Sequence, residues 1–342
     1  MDSQEFYKRF KKADFQEVPN KVPEDVLVSV CVQTYQHAKF IRQCLDGILM
    51  QETDFAIEIL LGEDCSTDGT REICHQYAVA HPEKIRLFLH NEENKIYSDG
   101  IKTGRFNYLN NLFSARGKFL AVCEGDDYWT DNQKLAVQAA LLEKNPEVGF
   151  VHHRVKILNE LQNGKIRTSP MYKSRSTFEE MAGLRHAFTS AYFFRKSSVE
   201  TIPEWLAEIP FADYALSLLA TRDGEAAFLP EAMSVYRIHR GGMSRPSNPD
   251  PDRSRSLRVL DACERHFSPK AAKAFKSRRA SLLADECFYR FNRLELGSFR
   301  EAFGALKPYW RDLGTRKRTA LGLRYLLSFF RPASRLLVRY KS

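Results

Sequence analysis

The sequence predicts an α/β fold, a mostly parallel sheet flanked by helices, followed by a helical C-terminal region. Three observations predict it. Apolar, β-branched runs alternate with segments of helical periodicity from Val26 to Cys123. Polar clusters close three of those runs: Gln33-Thr34-Tyr35, Glu63-Asp64-Cys65-Ser66 and Glu124-Gly125-Asp126-Asp127. From residue 253 onward the pattern turns helical and basic.

The elements follow in order. Residues 1–25 set Phe6, Tyr7, Phe10 and Phe15 among lysines and read as a short amphipathic arm, ended near Pro19 and Pro23. Val26–Val32 reads as a buried strand. Phe40, Ile41, Leu45, Ile48 and Leu49 give 38–50 a helical spacing. Ile57–Leu61 is the next strand, Thr70–Ala80 a helix, and Ile85–Leu89 a third strand. Arg105–Ser114 reads as a helix, Phe119–Cys123 as a fourth strand, and 133–142 as an amphipathic stretch. Beyond Phe150 the pattern loosens. Strands are expected at 151–158 and 191–195, a turn at Asn163-Gly164, and helices at 177–184 and 211–221. An extended run is expected at 233–239, and 247–252 reads as a linker. The expected organisation is therefore an arm at 1–25, a catalytic-size α/β domain at 26–245, and a basic helical region at 246–342.

Composition narrows the class. The chain has 342 residues, 43% hydrophobic and 28% charged, with a net charge of +9. No apolar run reaches membrane-spanning length, and no leader is evident. The expected location is the cytoplasm or the inner face of a membrane. Seven cysteines with irregular spacing and no CxxC pair suggest neither a zinc site nor a disulfide framework. No GxGxxG is present, which disfavours a dinucleotide oxidoreductase. Residues 314–342 hold eight Lys or Arg and no acid. Two readings of the leucines at 321–337 stand: a helix on anionic lipid, or a helix packed on the domain or on a second subunit.

The acidic knot Glu124–Asp127 carries the chemistry. Carboxylates crowded at a strand end repel one another, and a divalent cation between them relieves this. Ligands of α/β sheets bind beyond the carboxyl ends of the strands, where all three polar clusters fall. A metal and a phosphorylated substrate are the expectation.

Four motifs in order match a known family. Val28 to Tyr35 resembles its opening strand and Thr-Tyr end. Ile59 to Thr70 (Ile-Leu-Leu-Gly-Glu-Asp-Cys-Ser-Thr-Asp-Gly-Thr) resembles its second motif. Gly117 to Asp131 resembles its metal-binding segment, and Tyr236-Arg237-Ile238-His239 with Ser244 its closing motif. Over roughly residues 26–245 the chain resembles the family 2 glycosyltransferases, in particular bacterial enzymes that build surface polysaccharides. The resemblance implies the GT-A fold and transfer of a sugar, with inversion, from a nucleotide donor to an acceptor hydroxyl, using Mn²⁺ or Mg²⁺.

It also implies roles. Asp127 is the first expected metal ligand, with Asp126 near the ribose or the metal. Glu124 stands where Asp is commoner. Asp64 would accept a hydrogen bond from the donor base, often uracil. Tyr35 would stack on that base, and Gln33 and Thr34 would line the wall. Asp68-Gly69-Thr70 is expected as a turn and helix cap. Asp213, in Phe-Ala-Asp-Tyr at a helix start, is the expected general base, with Asp223 the second choice. His239 would complete the metal shell or touch the diphosphate, Arg237 would bind phosphate, and 241–245 would close over the donor. His152, His153, Thr189 and Ser190 are acceptor-side candidates. The family's polymerising members carry Gln-x-x-Arg-Trp; here no Trp follows an Arg, so transfer of one or a few sugars is expected. The competing readings are a nucleotidyltransferase, disfavoured because 33–39 holds no glycine, and a carbohydrate- or membrane-binding module without catalysis.

Overall fold

The computed structural model describes residues 1–98, 100–183, 187–242, 254–267 and 271–329. The chain divides into two compact units: 1–181 with 186–246, and 182–185 with 247–342.

The first unit opens with α1 (Ser3–Phe10), β1 (Gln16–Glu17), β2 (Val28–Thr34), α2 (Ile41–Leu49), β3 (Ile57–Glu63), α3 (Thr70–Ala80) and β4 (Ile85–Leu89). A hairpin of β5 (Ile96–Ser98) and β6 (Ile101–Thr103) leads into α4 (Arg105–Ser114). Then come β7 (Phe119–Val122), β8 (Tyr128–Trp129), α5 (Lys134–Lys144), β9 (Val148–Asn159), β10 (Lys165–Thr168) and β11 (Arg175–Ser176). Last are α6 (Phe178–Gly183), β12 (Phe193–Arg195), α7 (Asp213–Thr221) and β13 (Glu225–Ile238).

Among the described residues the main sheet has 11 strands, ordered β1-β4-β3-β2-β7-β12-β9-β13-β11, with β10 on β9 and β8 on β13. The block β4-β3-β2-β7 is parallel, as is the β9–β13 pair. β12 runs antiparallel to both β7 and β9.

Strand alternation sorts the two faces. Val28, Val30 and Val32 join Ile57, Ile59 and Leu61 in a buried core with Ile41, Leu45 and Ile48 of α2 and Leu135 and Leu142 of α5. The opposite face meets α4, whose Phe106 packs on Phe6 of α1 at 5.2 Å between ring centroids. The predicted arm therefore belongs to the first unit. Asp2 and Glu5 form a capping box at its helix, and Phe6 is fully buried.

The second unit is helical: α8 (Ser254–Phe267), α9 (Ala272–Asn292), α10 (Leu296–Leu306) and α11 (Thr315–Leu327). Cys287, Phe291, Phe299, Phe303 and Leu321 form its core. The expected chain beyond Phe329, with Pro332, lies outside the described residues, as do Ser244 and the 243–245 part of the closing loop. No described helix is long and apolar enough to cross a membrane.

Candidate active site

The three polar clusters converge because β3, β2 and β7 are neighbours. Thr34 pairs with Glu63 across the parallel ladder. Beyond it, the Asp64 N–H donates to the Thr34 carbonyl at 3.0 Å, and the Gly125 N–H to the Gln33 carbonyl at 2.9 Å. Gly125 is required by space: a Cβ there would stand 2.6 Å from Thr34 Oγ1.

The loop after β2 turns through Gln36 in the left-handed region (φ 57°). The Ser66–Thr70 segment holds it there. Ser66 Oγ accepts the Gln36 N–H at 3.0 Å, Thr70 Oγ1 the His37 N–H at 2.8 Å, and Asp68 Oδ2 the Ala38 N–H at 3.0 Å. Asp68 Oδ1 also accepts the Thr70 N–H at 3.1 Å, closing the expected turn, while the helix's N-cap position falls on Gly69. A motif that reads as a turn thus fixes one wall of the site.

Asp126 and His239 meet at the ends of β7 and β13. His239 Nε2 lies 3.0 Å from Asp126 Oδ2, and His37 Nε2 lies 3.8 Å from the same oxygen. Phe40 packs on the His239 ring at 4.5 Å and orients it. Asp126 keeps 18% of its side chain exposed. Burial pushes its pKa up, but the His239 hydrogen bond and the His37 and His239 charges outweigh it, and the net direction is down. The carboxylate form is favoured. Among the described residues no three His, Cys, Asp or Glu side chains form a metal cage. An Asp–His pair with one open carboxylate suits a hard cation that takes its remaining ligands from a diphosphate.

Asp127, the first expected metal ligand, does something else. It is 2% exposed, its Oδ1 accepts the Arg237 N–H at 2.8 Å, and its buried Oδ2 has no hydrogen-bond partner among the described residues. Burial, then the Asp126 charge, drives its pKa well up. A shielded carboxyl committed to β13 is a poor ligand, and the expectation moves to Asp126. Arg237 is corrected as well. Its Nε donates to the Asp126 carbonyl at 2.8 Å, Nη1 to Glu160 Oε1 at 2.7 Å and Nη2 to Gln43 Oε1 at 2.8 Å. With three of its N–H groups on protein acceptors, it braces the acidic loop.

Asp64 and Tyr35 form a second cluster. Asp64 is 4% exposed and Tyr35 45%. Between them stands Lys95, which sequence reasoning missed: Nζ lies 4.0 Å from Asp64 Oδ2 and 3.7 Å from the Tyr35 ring centroid. Burial raises the Asp64 pKa to about 7, while Lys95 pulls it down. Thr34 and Gln33 lie beneath this cluster, both buried. Gln33 leaves both amide atoms unpaired among the described residues, and Thr34 Oγ1 meets His37 Nδ1 at 3.3 Å. They shape the wall from behind.

Asp213 opens α7, its Oδ1 accepting the Tyr214 N–H at 2.8 Å. It is half-buried, and its charge acts on Glu124 and on the buried Arg105. Burial, then the Asp126 and Asp213 charges, lift the Glu124 pKa to about 8, the repulsion that a cation among these carboxylates would relieve. Asp223 follows α7, exposed, and pairs with Arg222 at 2.9 Å.

The acceptor-side expectations divide. β9 runs to Asn159, so His152 and His153 are mid-strand and 2% exposed. His152 stacks on Phe150 at 5.6 Å and packs on Phe228. Ser190 is fully buried; its carbonyl accepts the Trp129 Nε1–H at 3.0 Å, and its Oγ meets Ser234 Oγ at 3.1 Å. These residues are packing and bracing groups, which corrects the acceptor expectation. Thr189 is the member that stays half-exposed.

Residues 29–202, half of the chain, match the family described as Glycosyl transferase family 2. The chain belongs to glycosyl transferase family 2. An uncharacterised Mycobacterium tuberculosis (strain H37Rv) protein is 33% identical over 219 residues, 63% of this chain and 60% of that protein. The uncharacterised glycosyltransferase EpsJ of Bacillus subtilis is 29% identical over 231 residues, 62% of this chain and 61% of EpsJ. The chain thus spans about three fifths of the length of these relatives. The crystal structure of S. aureus TarS 1–349 in complex with UDP-GlcNAc shares the fold, with a TM-score of 0.58 over 90% of both chains at 17% identity.

Proposed function

We propose that this family 2 chain is an inverting, metal-dependent, non-processive glycosyltransferase that moves a sugar from a UDP-sugar to an acceptor hydroxyl in cell-surface glycan synthesis. The observation that carries the reading is the Asp126–His239 pair beside the Asp64–Tyr35 cluster, joined by backbone hydrogen bonds across β3, β2 and β7.

In this reading Asp126 and His239 would hold Mn²⁺ or Mg²⁺ when the donor binds. The cation supplies charge neutralisation to the leaving nucleoside diphosphate without proton transfer. Asp127 and Arg237 keep the acidic loop seated on β13. Asp64 accepts the N–H of the base, and Tyr35 stacks on it. Asp213 takes the proton from the acceptor hydroxyl, whose oxygen attacks the anomeric carbon from the face opposite the diphosphate. The anomeric C–O bond to the diphosphate breaks, and configuration inverts. TarS was crystallised with UDP-GlcNAc, which supports a UDP-sugar as the first donor class to try.

The test is a panel of UDP-, GDP- and dTDP-sugars, each with and without Mn²⁺, read by thermal stabilisation and by release of nucleoside diphosphate. Metal-dependent stabilisation with slow donor hydrolysis supports the reading. Stabilisation by none of the donors removes it.

The reading includes the cytoplasmic face of a membrane as the place of work. α11 exposes Leu323 and Leu326 at 50% and 66%, and Phe329 just beyond it is 59% exposed, within a stretch free of acids. Such a basic, apolar surface suits anionic lipid close to a lipid-linked acceptor. Co-sedimentation with vesicles containing phosphatidylglycerol, but not with pure phosphatidylcholine, is the expected result. Equal recovery with both, or with neither, removes the membrane part alone.

A further inference from the structure

The β9–β10 hairpin carries charge that neither the cation site nor the Asp64–Tyr35 cluster uses. Residues 154–175 hold Arg154, Lys156, Lys165, Arg167, Lys173 and Arg175 against a single acid, Glu160. Glu160 is already engaged. Its Oε1 accepts Arg237 Nη1 at 2.7 Å, and Arg237 Nε donates to the Asp126 carbonyl at 2.8 Å. Those two hydrogen bonds tie the hairpin turn to the acidic loop. Arg175 pairs with Glu147, Lys173 with Glu180, and Arg154 with the Ser169 carbonyl. Lys156, Lys165 and Arg167 are exposed and pair with no acid among the described residues.

Register sorts these three cations between two faces. Arg167 stands opposite Ile157, which stands opposite Tyr236. Lys165 stands opposite Asn159, which stands opposite Ile238. On this face Tyr236 and Ile238 are half-buried over Val155, Ile157 and Ala191, and the Phe188 ring lies 4.9 Å from that of Tyr236. The floor continues toward Asp213. The turn Thr189–Ala191 leads into Tyr192, whose hydroxyl donates to the Asp213 carbonyl at 3.1 Å. Lys156 and the 62% exposed Ile166 belong to the opposite face. One face thus runs from Asp213 over an aromatic floor to a rim of two cations.

We infer that this face receives the acceptor, and that the acceptor is an anionic glycan whose phosphodiester groups seat on Lys165 and Arg167. The inference rests on the transferase reading above and names its acceptor class. Lys and Arg side chains only donate, and phosphate oxygens accept from both, bidentately from Arg. Two positions apart on one face of a strand, the two cations stand about 7 Å from each other, so one chain can meet both. Phe188 and Tyr236 offer rings to the apolar C–H edges of sugar or polyol units. A lipid surface suits this face less, because the projecting apolar side chain, Ile166, lies on the other one.

The experiment titrates the full chain with a short synthetic glycerol-phosphate oligomer, a neutral dextran oligomer and phosphatidylglycerol vesicles, and separately with UDP and Mn²⁺. The proteins are wild type, Arg167→Gln and Lys156→Gln; each variant loses one exposed charge, from opposite faces. Wild type should bind the glycerol-phosphate oligomer, more weakly as salt rises, and bind dextran at least about tenfold less tightly. Arg167→Gln should lose about tenfold for that oligomer, and Lys156→Gln less than about twofold. UDP binding with Mn²⁺ should be the same in all three, and melting temperatures check that the variants fold. Equal losses in the two variants overturn the inference, as does dextran binding as tight as that of the charged oligomer. Vesicle binding that falls in Arg167→Gln while oligomer binding holds assigns the face to lipid headgroups and also overturns it. Wild type that binds UDP with Mn²⁺ but not the oligomer overturns this inference and leaves the transferase reading intact. Absence of any nucleotide binding overturns the transferase reading itself, and the acceptor role with it.

Discussion

Asp64→Asn should make the fold more stable and the donor site worse, with a pH signature that separates the two effects. Burial lifts the Asp64 carboxyl from its ordinary 3.8 to about 7, against the pull of Lys95, with the Glu63 and Glu92 charges pushing the same way as burial. A carboxyl whose folded pKa is raised favours the folded state in its protonated form. That contribution is complete below the unfolded pKa and is lost as pH rises through the folded one. The window therefore runs from pH 3.8 to about 7. At ~1.4 kcal/mol per pH unit, the loss reaches at most about 4 kcal/mol. Asn carries no such loss. Thermal or urea unfolding of ligand-free protein at pH 5 and pH 8 measures it. The variant should exceed wild type clearly at pH 8, and the gap should narrow at pH 5. UDP binding by the same variant should weaken by about 10–100-fold, the cost of losing a charged hydrogen bond. A stability gap that does not change with pH would refute the assignment of a buried, charge-strained carboxyl. Stronger UDP binding by the variant would refute its role at the base. A gain in stability paired with a loss of binding is the signature of a group kept for function.

Three further outcomes are expected. Asp213→Asn should keep donor affinity and lower turnover by about 10²–10⁴-fold; turnover near wild type moves the general base elsewhere, with Asp223→Asn next in line. Gly125→Ala should destabilise by about 1–3 kcal/mol and weaken metal-dependent donor binding, because its Cβ meets Thr34 Oγ1 and backbone must shift; an unchanged melting temperature contradicts this. Phe6→Ala should cost about 3–5 kcal/mol, since Phe6 is fully buried against Phe106 and Phe113; a loss near zero, seen by urea unfolding, means the N-terminal helix is not part of the cooperative unit.

Much of the fold was legible because burial writes a period into the chain. Helices at Thr70–Ala80 and Arg105–Ser114 and the strand at Ile85–Leu89 have the bounds their patterns predict. β9 was harder. The strand expected at 151–158 begins at Val148 and runs to Asn159, which sets His152 and His153 well inside it. Polar side chains can sit mid-strand when aromatic neighbours pack on them, as Phe150 and Phe228 do on His152. Phe6 on its charged, amphipathic arm gave no sign of how completely it would be buried.

The site was legible in part for a similar reason. Strand ends announce themselves through runs such as Glu124–Asp127, and the β3-β2-β7 order then brings those runs together. Which of two adjacent acids faces the groove is a matter of turn geometry, which residue type does not encode. Asp126 and Asp127 differ by one peptide, yet one keeps an open oxygen and the other seats the Arg237 N–H. Arg237 carried the right charge for phosphate but found three protein acceptors nearer. Lys95 comes from a segment with no periodicity and no motif, so only tertiary contact reveals it.

The central claim is that the β7 and β13 ends hold a cation on a nucleoside diphosphate through Asp126 and His239. Calorimetric titration of UDP with and without Mn²⁺, on wild type and Asp126→Ala, tests it most directly. The account predicts tight binding by wild type only when Mn²⁺ is present, and weak, metal-indifferent binding by Asp126→Ala. Full metal-dependent affinity in Asp126→Ala would contradict it.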